Sequence, residues 1–171
     1  ALLEGVYAVL HAAVTRRTRE VTFMVPTVVE SVYLLCRWLL ILSSRLATPA
    51  QTYASVMSPE SDDARARMEA LGAACAHNVG RLMEALAQER ALMRKYAAHV
   101  LINYVSSLEA YPALWLPSFK EATLPGVYAV VDTCGSHELQ HVHAMSSPAG
   151  RTLFKALYVE YRRTYKYTGE A

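Results

Sequence analysis

The chain has 171 residues, of which 53% are hydrophobic and 19% charged, with 7 glycines and a formal net charge of +2. That length suits one domain with a real core; the composition excludes a disordered tail, and so small a charge makes no case of its own for nucleic-acid binding. Three cysteines, Cys36, Cys75 and Cys134, with no CxxC pair, argue against a disulfide framework and fit a reducing compartment.

The chain begins at Ala1, not Met, directly inside an apolar-periodic segment, and so reads as an excised fragment or a processed product; no signal peptide is visible. Leu3, Val6, Tyr7, Leu10 and Val14 recur at helical spacing and predict a helix over 2–14 that ends in the basic cluster Arg16, Arg17 and Arg19. A second helix is expected over 21–46, with Pro26 near its start. Its run from Val32 to Leu42 is about half of the roughly 20 apolar residues that a membrane span needs, so it reads as a helix buried between neighbours, with Tyr33 and Trp38 packed there.

Thr48-Pro49 and Ser58-Pro59 each read as an N-cap followed by proline at the first helical position. From Pro59 to about Tyr111 one long central helix is expected, its stripe running through Met68, Leu71, Cys75, Val79, Leu82 and Leu86. The stripe continues through Met93, Tyr96, Val100, Tyr104 and Leu108, and the pattern allows a kink at Gly80 or a break near Gln88. His77 and His99 read as partly buried side chains beside that stripe.

Pro112 and Pro117 stop the helix, and Leu114, Trp115 and Leu116 are expected to seal the junction. Ser118 to Glu121 reads as a capping box that opens the next helix, which Pro125 and Gly126 would interrupt. The apolar run from Val127 to Val131 has strand-like composition, but a lone strand would have no partner, so it too is read as helix. A Ser-Pro turn then joins two short helices into a C-terminal hairpin. The last one buries Leu153, Phe154, Leu157 and Tyr161.

One string competes with this structural reading. His137-Glu138-Leu139-Gln140-His141 is an HExxH motif, and Glu160 follows His141 after eighteen intervening residues. In zinc peptidases two such histidines share a helix face and bind one metal with a third ligand, here Glu160, while the motif glutamate acts as general base. His143 adds a fourth candidate. Against it, Gly135-Ser136 would start the helix at the first ligand, leaving the site on a fraying turn. Glu160 also falls off the apolar face of its own helix. A thiol site at Cys134 with His137 and Asp132 is weaker still, since a buried cysteine is usually inert.

The last 50 residues, roughly, resemble the C-terminal domain of the Urb2/Npa2 family of nucleolar ribosome-biogenesis proteins. The likeness lies in Pro125 to Tyr128, Val131 to Cys134, His137 to Gln140, the expected turn Ala149-Gly150-Arg151, Leu153 to Lys155, and Leu157, Tyr158 and Tyr161. The resemblance implies that residues 1–171 form a single all-α domain, a helical array resembling the end of an α-solenoid. It implies a non-catalytic scaffold in the nucleolus, acting on early large-subunit (pre-60S) precursors and pre-rRNA processing. Its partners would be other assembly factors and pre-rRNA, with no cofactor, metal, membrane or small-molecule substrate. The residues agree in part: the last segment mixes Arg151, Lys155, Arg162, Arg163 and Lys166 with tyrosines, a pattern suited to rRNA phosphate or acidic protein, with Arg162, Arg163 and Lys166 close together as the contact. The plainer reading, which the pattern favours, is that the tyrosines pack the helix and the basic residues are its solvated face. The competing reading is the zinc-dependent peptidase with His137, His141 and Glu160; a third is an interaction module unconnected with ribosomes.

Overall fold

A computed structural model describes residues 2–16, 18–47, 59–110 and 116–166. They form seven helices and no strand: α1 (Leu2–Arg16), α2 (Thr18–Ala47), α3 (Pro59–Gln88), α4 (Arg90–Ala110), α5 (Pro117–Thr133), α6 (Ser136–Met145) and α7 (Pro148–Thr164). The all-α array read from the sequence is the observed fold.

α2 starts earlier than expected, at Thr18, so Pro26 lies inside the helix and not near its start. The pyrrolidine leaves one carbonyl of the preceding turn without its helical donor. Pro26 is exposed, so water can reach that side. The opposite face, with Val25, Val28, Val29, Val32, Cys36 and Leu39, is buried against α3 and α4. The 19 residues from Val25 to Ser43 are long and apolar enough to cross a membrane by length and composition, a longer stretch than Val32 to Leu42 alone; nearly half of it is buried in the core.

The long central stripe is carried by α3 and α4, which part at the single residue Glu89, beside the break allowed at Gln88. Its lower part is core, from Cys75 to Leu108, but Met68 and Leu71 are exposed, and so are His77 and His99. α5 runs along α3 in the same direction, as the successive pairs Gly72 with Phe119 and Gly80 with Gly126 establish. The second pair is a backbone-to-backbone crossing. A Cβ on Gly126 would stand 2.2 Å from the Gly80 carbonyl oxygen.

That crossing explains why Pro125 and Gly126 do not interrupt α5. Pro125 is exposed, and Gly126 supplies the close approach. The capping box at Ser118 does not form either. Pro117 takes the first helical position behind Leu116 as N-cap, and the Ser118 hydroxyl is buried without a partner among the described residues. The Leu116 N–H instead donates to the Ser43 hydroxyl at 2.7 Å, tying the start of α5 to α2. Thr48-Pro49, Ser58, Pro112, Leu114 and Trp115 lie outside the described residues.

Candidate interaction surface

The C-terminal hairpin is built on α4. α6 runs beside α4 in the same direction, through Glu138 at Arg94, His141 at His99 and Ser147 at Glu109. α7 then turns back. Ser147 makes the corner: its hydroxyl accepts from the Gly150 N–H at 2.9 Å as the N-cap of α7, and donates to Glu109 at 2.6 Å. The Ser-Pro turn joins the two helices as expected, but with Pro148 at the first helical position Ala149-Gly150-Arg151 lie inside α7 and form no turn of their own. Phe154, Leu157 and Tyr161 are buried and Leu153 is partly so, which gives α7 its expected docking face.

The HExxH string sits at the first turn of α6. Gly135 is the N-cap, and Glu138 is the third helical residue, whose carboxylate accepts from the Gly135 N–H at 2.8 Å. This is the glutamate half of a capping box. Arg94 adds a contact at 3.2 Å from the α4 side. Burial pushes the Glu138 carboxyl up. Its backbone hydrogen bonds and Arg94 outweigh that and hold it below its ordinary value. Its oxygens therefore serve the helix end, where a general base would have to face a bound water.

The other zinc candidates are dispersed. The His137 side chain is 87% exposed. His141 turns its ring edge-on to His99, with centroids 5.9 Å apart. Glu160 is exposed on α7 and lies beside the Tyr128 hydroxyl, where burial first and the Glu160 charge second raise the phenol pKa. Among the described residues no group of three or more His, Cys, Asp or Glu could hold a metal ion. The Cys134 thiol points back to the Val130 carbonyl at 3.5 Å, and burial, with Glu138 adding to it, pushes its pKa up to about 12. A thiol raised this far is a poor nucleophile at neutral pH, and Asp132, its imagined partner, is engaged by Tyr161 and Arg90; both speak against the thiol reading.

Arg162 and Arg163 in the last turn of α7 and Lys166 just after it are all exposed, with no ion pair among the described residues. Arg162 and Arg163 stand about 100° apart around the last turn of the helix, and Lys166 follows just beyond its end. They also suit the negative end of the helix dipole. Beneath them, the Tyr161 hydroxyl donates to Asp132 at 2.7 Å, and Arg90 pairs with the other oxygen of that carboxylate. This junction joins α7, α5 and α4, and no local pattern announces it because its members lie far apart in the chain. Arg94 with Glu138 went unseen for the same reason.

The described residues thus define a helical array whose C-terminal hairpin carries exposed cations, and whose one metal-like string is occupied with capping a helix. A model of the Urb2/Npa2 family matches residues 1–170, and the chain belongs to that family. Membership implies a role in ribosome biogenesis and a nuclear setting associated with the nucleolus. No curated protein and no solved structure matches the chain.

Proposed function

We propose that this chain is one all-α domain of a longer helical scaffold in the nucleolus. On this reading it helps assemble early large-subunit precursors and supports pre-rRNA processing through a binding surface, without catalysis. The observation that carries the reading is the family match over residues 1–170. Two features of the site support it. The Glu138 carboxylate is engaged by Gly135 and Arg94, and the exposed Arg162, Arg163 and Lys166 offer a contact for rRNA phosphate or for an acidic face of another assembly factor. Each charge withdrawn from a phosphate contact weakens binding and flattens its salt dependence. Stability should hardly move, since exposed substitutions usually cost within about 0.5 kcal/mol. The test reverses Arg162, Arg163 and Lys166 to glutamate in the full protein and follows co-sedimentation with large-subunit precursors in cells. Reduced co-sedimentation with intact expression is expected; unchanged co-sedimentation and normal rRNA processing would rule this surface out.

A further inference from the structure

α6 and α7 diverge from the Ser146–Ser147 corner and leave a cleft of about 300 Å³ between them. Leu139, Phe154 and Tyr158 make its apolar floor, all packed on the core. His143, Arg151 and Lys155 stand at its rim, and no carboxylate lines it. The Arg151 Nε donates to the Ser146 carbonyl at 3.1 Å, which holds the guanidinium at the corner. Lys155 is exposed, with no ion pair among the described residues.

A cationic rim would suit a nucleic acid or an acidic protein. The floor decides between them. Single-stranded RNA adds stacking on open aromatic faces to its phosphate contacts. Here Phe154 is only 7% exposed and its ring packs against Tyr158 at 6.3 Å. Tyr158, partly buried, packs at a tilt against Tyr161 at 5.8 Å, so neither ring stands out as a free platform for a base. What remains is a floor that fits an apolar side chain, and the volume lies at the small end of ligand-sized pockets.

We propose that the α6–α7 cleft docks an acidic protein segment, which inserts one or two large apolar side chains over Leu139, Phe154 and Tyr158 and sets its carboxylates against Arg151 and Lys155. The recognition resembles helix-in-groove binding, with area from the apolar anchors and orientation from the charges. It stands apart from the ribosomal reading and involves different residues from Arg162, Arg163 and Lys166.

The test is fluorescence anisotropy on the 171-residue chain. The first probe is a dye-labelled peptide of about fourteen residues, with Leu and Phe four apart among Asp and Glu. The second replaces its Leu and Phe by Ser, and the third is a short oligouridine RNA. The first probe should bind, and the serine version should bind at least about tenfold more weakly. Lys155→Glu removes a rim cation, and Thr152→Trp fills the cleft from an exposed position without changing charge. Each should weaken the first probe about tenfold while leaving thermal melting unchanged. The proposal is overturned if the first probe does not bind, or binds equally well to both variants. Equal binding of the serine peptide, or tighter Lys155-dependent binding of the RNA, would overturn it as well.

Discussion

Replacing Gly126 by alanine tests the α3–α5 crossing directly. The added Cβ would meet the Gly80 carbonyl oxygen at 2.2 Å and the Gly80 Cα at 2.8 Å. Ordinary contact begins near 3.4 Å, so the two helices must separate locally by about 1 Å. The obstacle is backbone, which cannot rotate aside as a side chain would. Overpacking of this kind costs about 1–3 kcal/mol, and a rigid wall places it toward the upper end. Alanine returns about 1 kcal/mol of helix propensity, so the net loss should be about 1–2 kcal/mol. Gly5 is the internal control. A Cβ there meets nothing within 4 Å, and Gly5→Ala should stabilise by about 0.5–1 kcal/mol. Urea unfolding followed by circular dichroism at 222 nm reads both. With a slope of about 2 kcal/mol/M, the Gly126→Ala midpoint should fall by about 0.5–1 M. A Gly126→Ala variant as stable as the parent, at unchanged slope, would refute the crossing.

Phe154→Ala should cost about 3–5 kcal/mol, because the ring is 7% exposed, and a change below about 1 kcal/mol would show that this face of α7 is not core. Glu138→Gln should lower stability at neutral pH and flatten its acid dependence. The folded carboxyl titrates below its unfolded value of about 4.3, so its contribution is present above that pH and lost as pH falls through the depressed value. An identical acid slope in parent and variant would contradict the cap. Elemental analysis should find no stoichiometric zinc, because Glu138 is engaged by Gly135 and Arg94 and Glu160 lies beside Tyr128; about one zinc per chain, lost in His141→Ala, would restore the metal reading.

The helices were legible because their signals are local. Apolar spacing marked α3 and α4, and Ser147-Pro148 marked the corner between α6 and α7, where the structure adds the capping hydrogen bond from Gly150. The failures share one physical reason. Pro125 and Gly126 look like a break from nearby sequence, but the partner that makes use of Gly126 is Gly80, more than forty residues away on another helix. Ser118 reads as a cap until Pro117 takes the first helical position. Glu138 carried two meanings, general base or capping residue, and the distance to Gly135 together with the contribution of Arg94 from α4 decides between them. The exposure of Arg162, Arg163 and Lys166 follows from the apolar face of α7; the cleft beside Arg151 and Lys155 depends on how α6 diverges from α7, which no local pattern encodes.

The three cysteines matter for labelling chemistry. Burial pushes the Cys36 thiol up to about 12, Cys134 is held as high, and Cys75 is buried. Maleimides and haloacetamides react with thiolates, so at neutral pH the native thiols should stay nearly silent. A single cysteine placed at exposed Ala156, next to Lys155, or at exposed Thr164, next to Arg163, would then be the one reactive handle, with every native cysteine and every proposed contact cation kept. A photo-crosslinker attached there would capture whatever protein or RNA lies against α7 in a cell extract, and the attachment point would tell the cleft from the basic end of the helix.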